Sequence, residues 1–273
     1  MSVRFVLTLA ASLLAAGCVW AKDVTLQGAL TQGGLIVGQA PGATSATING
    51  RAVAVAPDGT FVFGLPAEAK AAGTLLVKYP DGTEEARALT VVAQKWKIER
   101  IDGLPPAMVN PPPEVTVRIN RENALIAKAR SGTLAETWFA GGFAWPVKGR
   151  ISGVFGSRRV LNGQEMSPHW GMDIAMPTGT PVLAPAFGRV VLAENDLYYT
   201  GGTIILDHGY GVTSAYSHLS KVGVKVGQTV QTGDQIGAVG ATGRVTGPHL
   251  HWTINWFDVR IDPALVVQPP PGG

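Results

Sequence analysis

Cysteine is nearly missing from this chain: one residue in 273, Cys18. A disulfide framework is therefore excluded, and so is a metal site built on several thiolates. Charge is scarce too, with Asp, Glu, Lys and Arg making up 15% of the residues and a formal net charge of +3. So small and evenly spread an excess is not the electrostatic footprint of a nucleic-acid-binding protein. It does favour approach to an anionic polymer. Histidine is absent from the whole stretch between Asp23 and Val92, so an imidazole-based metal site is not expected there.

What the chain has instead is glycine (35), proline (19) and an apolar content of 46%. That mixture favours short strands and many turns over long helices, and the length allows one large domain or two smaller ones. At the N-terminus Arg4 precedes the uncharged stretch from Phe5 to Ala16, and Val19-Trp20-Ala21 supplies modest side chains before Lys22. This has the form of a secretory signal peptide cleaved after Ala21. The stretch falls short of the ~20 apolar residues of a membrane span. Ala15-Ala16-Gly17-Cys18 resembles a lipoprotein signal, so an anchor through a lipidated Cys18 is the alternative, although Ala15 stands where that motif usually has Leu. Either route exports the protein.

The organisation expected is a signal peptide (1–21), a small β-sandwich of immunoglobulin-like type (22–95), a Pro-rich linker carrying one short helix (96–137), a second, antiparallel β domain (138–268) and a tail (269–273). In the first domain Asn49-Gly50 lies between two β-prone runs, a hairpin signal because both residues tolerate positive φ. Pro57-Asp58-Gly59 and Pro80-Asp81-Gly82 are turn tripeptides. Pro105, Pro106 and Pro111-Pro112-Pro113 read as a stiff connector. A helix is expected from Arg121 to Arg130, capped by Asn120 and stopped at Ser131-Gly132, with Ala124, Ile126 and Ala127 as a weak apolar face. Beyond Trp138 the segments 188–192, 203–206 and 212–216 read as strands separated by glycine-rich turns.

All five histidines, His169, His208, His218, His249 and His251, fall in the last two-fifths of the chain. His169 and Asp173 are separated by a segment containing Gly171, which suits a backbone that bends to bring two ligands together. His249 and His251 stand two apart, so on a strand both imidazoles face one side. One of that pair can hold a metal while the other handles protons. Three His/Asp/His ligands plus a water make an open, catalytic type of site, and zinc suits this donor set better than copper.

The motifs His169-xxx-Asp173, Tyr216-Ser217-His218-Leu219 and His249-Leu250-His251 occur in the order of the lysostaphin-like (LytM-type) zinc metallopeptidases. The flanks Trp145-Pro146-Val147, Phe155-Gly156-Ser157-Arg158, Gly171 to Ala175 and Gly233-Asp234 before Ile236-Gly237 resemble the same family. The resemblance runs from about Phe143 to Val266. It implies one Zn2+ held by His169, Asp173 and His251, with His218 and His249 beside the metal as catalytic groups. It implies an endopeptidase acting on peptide bonds in peptidoglycan stem peptides or cross-links, in the periplasm of a Gram-negative bacterium. Ser217, where the family commonly has Ala, touches no ligand position. A non-catalytic activator of a cell-wall amidase is the alternative, and a zinc enzyme with a soluble protein substrate a third reading. The complete ligand set favours catalysis.

The remaining candidates read more plainly. His208 ends an apolar strand and is expected to be structural. Tyr216 is a packing residue or an oxyanion partner. Trp170 and Trp252 line the groove or shield the metal's surroundings, and Arg158 makes a surface ion pair or meets a substrate carboxylate.

Overall fold

The structure is a computed structural model that describes residues 23–103 and 113–267. The expected signal peptide with Cys18, most of the proline run and the tail lie outside the described residues. Among the described residues no helix is long and apolar enough to cross a membrane.

Seven short strands come first: β1 (Thr25–Gln27), β2 (Leu35–Gln39), β3 (Ser45–Ile48), β4 (Arg51–Val53), β5 (Thr60–Gly64), β6 (Ala72–Lys78) and β7 (Glu84–Thr90). They form two antiparallel sheets, ordered β1-β2-β5 and β4-β3-β6-β7. The Asn49-Gly50 turn joins β3 to β4 with φ of 49° and 81°, the double positive φ that a two-residue hairpin demands. In the immunoglobulin constant pattern the fourth strand lies beside the fifth; here β4 lies beside β3. The unit thus has seven strands in two antiparallel sheets, with β4 at an edge beside β3.

β8 (Ile98–Ile101) follows, in the segment expected to be a connector, and pairs in parallel with β10 (Arg158–Leu161). Helix α1 runs from Pro113 to Ser131, 19 residues, and so starts well before the expected Arg121. Asn120 is inside it, not its cap. The reason is Pro113, whose fixed φ and missing N–H suit a first helical turn, followed by Glu114 at the positive end of the helix. The proline run that reads as a connector thus supplies the helix start.

Strands β9 (Arg150–Gly153), β11 (Gln164–Glu165), β12 (Met172–Ala175), β13 (Pro181–Leu183), β14 (Gly188–Leu197), β15 (Gly201–Asp207) and β16 (Val212–Leu219) come next. They are succeeded by β17 (Lys221–Val222), β18 (Thr229–Val230), β19 (Gln235–Ala238), β20 (His249–Trp256) and β21 (Val259–Ile261). The dominant sheet is ordered β18-β14-β15-β16-β20-β12-β9, with β21 added on β20, and a small sheet β13-β19-β17 accompanies it.

The large sheet has two different faces because side chains alternate along each strand. Leu250, Trp252, Ile254 and Trp256 of β20, with Ile204, Leu206 and Tyr216, are buried in the main core. That same cluster contains Leu35, Ile36, Phe61 and Phe63 of the N-terminal sheets. His249, His251, Thr253 and Asn255 take the opposite face. Cross-strand register aligns Asp173 with His251 and His251 with Ser217, and aligns Thr253 with Ala215 and Ala215 with Ile205. Helix α1 lies over this second face, where Ile126 and Ala129 pack on Leu192, Leu197, Ile205 and Ala215.

Candidate metal centre

Three strands and a loop deliver the polar groups of the second face. His169 precedes β12, Asp173 lies on it, and His251 lies on neighbouring β20, directly opposite Asp173. Their donor atoms form a tight triangle. His169 Nε2 is 3.0 Å from Asp173 Oδ1 and 3.0 Å from His251 Nδ1, and His251 Nδ1 is 2.7 Å from Asp173 Oδ1. These are the three residues whose ligand atoms gather as a possible metal site among the described residues.

The triangle cannot be satisfied by ordinary hydrogen bonds. A proton on one edge serves that edge alone, because hydrogen bonds weaken steeply away from linearity. A cation inside the triangle would serve all three donors. Two imidazole nitrogens and one carboxylate oxygen are suitable zinc ligands, and tetrahedral bonds of about 2.0–2.2 Å put neighbouring ligand atoms ~3.3 Å apart. The observed edges of 2.7–3.0 Å are a few tenths of an ångström shorter, and the donor set and its convergence on one point fit such an ion.

The orientation of each ring is fixed from behind. His169 Nδ1 donates to the Val154 carbonyl at 3.0 Å, which leaves Nε2 with its lone pair toward Asp173. His218 Nδ1 donates to Thr242 O at 2.9 Å and His249 Nδ1 donates to Gly247 O at 2.8 Å. Backbone acceptors of this kind set the tautomer of a ligand or catalytic histidine. The His218 and His249 rings stand 4.9 Å apart, His218 is 5.9 Å from the His251 ring, and His249 Nε2 is 3.7 Å from Asp173 Oδ1. All four imidazoles that the sequence associates with the site are therefore in one place.

His218 reaches that place through an irregularity. Ser217 already faces the metal side, so simple alternation would turn His218 toward the core with Tyr216. Its φ of 64° interrupts the alternation and returns the ring to the site. A non-glycine residue in the left-handed region is uncommon and is found at functional sites. Gly171 has a different role from the one its sequence context suggests. It does not have a positive φ; a Cβ there would lie 2.7 Å from His251 Cε1 and 2.7 Å from Trp252 O. Space, not bending, is what requires glycine at that position.

Burial pushes the Asp173 carboxyl upward, but the two imidazoles set against it, His169 and His251, outweigh that and hold it far below the usual carboxylate range. Burial, then the nearby His251 charge, lower His218 to about 4, so its ring is neutral near pH 7.

The other candidates separate cleanly. His208 is fully buried on the far side of the sheet, bonded to Phe187 O and Ser214 Oγ and packed edge-on against Phe143 at 5.1 Å. Tyr216 OH is 2.7 Å from the same Ser214 Oγ, so both are structural and neither meets the metal centre. Trp252 is wholly buried in the core and lines no groove. Trp170 does line a pocket beside His251 and packs against Phe155 with the rings tilted and their centres 5.5 Å apart. Arg158 is exposed on β10, where its backbone N–H donates to Lys97 O.

The site's neighbours were not evident from sequence. A pocket of ≈ 430 Å³ adjoins His251 and is walled by α1 on one side and the sheet on the other. Arg130 of α1 and Arg260 of β21 both face it. They are far apart in the chain and belong to no recognisable motif.

Comparison with known proteins agrees with the geometry. The profile of Peptidase family M23 matches residues 167–263, which span every ligand and both accessory histidines. A solved structure of a putative peptidase M23 from Pseudomonas aeruginosa superposes with a TM-score of 0.66. It is 33% identical and covers 86% of this chain and 93% of its own. The cell division protein DipM of Caulobacter vibrioides is 36% identical over 163 residues, 59% of this chain and 25% of DipM. The peptidoglycan DD-endopeptidase ShyA of Vibrio cholerae is 46% identical over 113 residues, 40% of this chain and 26% of ShyA. The matched part spans about a quarter of the length of these curated relatives.

Proposed function

Because the chain belongs to peptidase family M23, we propose that it is an exported zinc metalloendopeptidase hydrolysing peptide bonds in the stem peptides or cross-links of peptidoglycan. The observation that carries the reading is the triangle of His169, Asp173 and His251 with two oriented, proton-accepting imidazoles beside it. ShyA, 46% identical over 113 residues, is named as a peptidoglycan DD-endopeptidase, which supports the substrate class. It also supports an extracytoplasmic, Gram-negative setting, in keeping with the signal-peptide form of residues 1–21.

In this reading His169 Nε2, Asp173 Oδ1 and His251 Nδ1 hold one Zn2+. The ion supplies a bound water of lowered pKa and polarises the scissile carbonyl. His218 and His249 each commit Nδ1–H to a backbone carbonyl, which leaves Nε2 to face the site. That atom accepts the water's proton and returns it to the leaving amine; once protonated, it donates a hydrogen bond to the developing oxyanion. Asp173, kept ionised by its two histidine neighbours, remains an anionic ligand throughout. The Val154 carbonyl orients His169 and keeps its free nitrogen aimed at Asp173.

The test is digestion of purified peptidoglycan by the mature, zinc-loaded protein, with products identified by mass spectrometry. New amino and carboxyl ends within the peptides are expected. Absence of such products, together with stimulation of an added cell-wall amidase, would establish the non-catalytic activator instead.

A further inference from the structure

The pocket between α1 and the metal centre carries two cationic side chains and no acidic one. Arg130 stands in the last turn of α1, and Arg260 lies on β21 opposite Asn255. Among the described residues Arg130 has no carboxylate within salt-bridge reach, and its buried Nε has no hydrogen-bond partner. Arg260 Nη1 reaches only the Asn255 amide oxygen, at 3.3 Å, in the amide orientation that also lets Asn255 donate to Ile254 O. Each guanidinium is held down by burial, and Arg130 also by the charge of Arg260, to about 9 for Arg130. Carbonyls at the end of α1 offset part of that cost, but they leave the Nε unsatisfied. The Thr253 hydroxyl, on the same pocket wall, is likewise buried without a partner.

Two like charges held close together and half-buried, one of them with a buried and unpaired Nε, destabilise a fold unless something fills the space between them. Nothing in the packing of α1 requires arginine there, since Ile126 and Ala129 make its apolar contact with the sheet. A guanidinium presents a planar fork matched to a carboxylate. The pocket is large enough for part of a peptide and opens beside a metal ligand, His251.

From this arrangement we infer that Arg130 and Arg260 form a subsite for a carboxylate carried by the peptide substrate, on the α1 side of the bond to be cut. This rests on the peptidase reading. It adds a determinant of specificity to it: α1 is a wall of the substrate groove, and Thr253 with Ser217 supplies neutral polar contacts to the same bound group. The carboxylate is either the free C-terminus of the peptide or an acidic side chain.

Binding and cleavage are to be measured separately on the full chain. Binding is read by calorimetry after chelator treatment, so that no hydrolysis occurs, with disaccharide-peptide dimers isolated from peptidoglycan as the probe. Three forms are compared: free carboxylates, only the C-terminal carboxylate amidated, and all carboxylates amidated. The free form is expected to bind about 10- to 100-fold more tightly than the fully amidated one, the span of hydrogen bonds to charged groups. The singly amidated form tells which carboxylate is read. Arg130→Gln and Arg260→Gln should each abolish the preference, and Arg130→Lys should keep part of it. Melting temperatures of the Gln variants should equal or exceed that of the parent, because a half-buried charge without a carboxylate partner is removed; arginines retained for structure would lower them. Equal affinity of the parent for free and amidated probes overturns the inference, as does an Arg130→Gln variant that still discriminates. A preserved preference in a zinc-loaded protein that cuts nothing would sink the peptidase reading and leave the subsite standing.

Discussion

Four imidazoles surround Asp173, and the partner of each ring nitrogen determines what that ring is able to do. His169, His218 and His249 all give Nδ1–H to a backbone carbonyl, while His251 alone turns Nδ1 inward. His251→Ala therefore removes a corner of the triangle. Bound zinc measured by elemental analysis should fall well below stoichiometry, with activity lost. His249→Ala should retain most of the zinc and lose roughly 10²–10⁴-fold in kcat, the usual weight of a general acid–base group. Equal zinc loss in both variants would overturn the division of roles. The fifth histidine makes a different prediction. His208 is held neutral in the fold by burial, its pKa lowered to about 4, against about 6.5 in the unfolded chain. The unfolded state thus binds the extra proton first. Stability attributable to this residue is complete above pH 6.5 and is lost as pH falls toward 4, by up to about 3 kcal/mol. Asp207, raised by burial, acts in the opposite sense, so the comparison has to be between variants. His208→Asn should be less stable at pH 7, through its lost bonds, but show a flatter fall in melting temperature between pH 7 and 5.

At the scale of elements, legibility depended on whether the information was local. The hairpin at Asn49-Gly50 and the shared face of His249 and His251 follow from turn chemistry and strand alternation, and both are present. The start of α1 was hidden because proline signals both a connector and a first helical turn, and only tertiary packing separates the two. The returned ring of His218 was equally hidden. Nothing in Tyr216-Ser217-His218-Leu219 announces a positive φ, and its place in the site followed from family resemblance alone. Arg130 and Arg260 were invisible for a third reason: their meeting depends on how α1 lies across the sheet. Beside its apolar contact, that docking uses one buried acid. Glu122 accepts the Tyr198 N–H at 2.7 Å through Oε2 and pairs with Arg118 at 2.6 Å through Oε1, while Arg118 also reaches the Asp196 carbonyl. Glu122→Ala leaves the Tyr198 N–H without its acceptor, at about 1–3 kcal/mol. Hydrogen exchange should rise across Pro113–Ser131, with the strands of the large sheet still protected. Protection unchanged in α1 would show that its apolar face suffices to hold it.

For the whole molecule the question is whether the N-terminal sheets are a tethered accessory or part of one cooperative body. Domain pairs in one chain move relative to each other by default, unless their interface is large and apolar. Here the apolar cluster is continuous from Phe61 and Phe63 to Ile254, Trp256 and Ile261. Gly64 of β5 lies flush against β20 and β21, where an added Cβ would meet Ile261 Cδ1 at 2.7 Å and Trp256 Cβ at 3.2 Å. Polar contacts close the seam on both sides of that contact. The Asp262 N–H donates to Gly33 O at 2.8 Å, and the Arg51 guanidinium sits 4.3 Å from the Trp256 ring centre while pairing with Asp258. These contacts reach the strand that also carries His249 and His251, so the N-terminal unit buttresses the back of the metal-bearing strand. The zinc-loaded protein should therefore unfold in one calorimetric transition, with equal calorimetric and van't Hoff enthalpies. Gly64→Val drives a side chain into the seam, an overpacking cost of about 1–3 kcal/mol. It should split the transition or lower its van't Hoff ratio, and it should weaken zinc retention although the substitution lies on the opposite side of β20 from the ligands. Two separate transitions in the unaltered protein would instead show that the sheets fold independently and that the seam transmits nothing to the site.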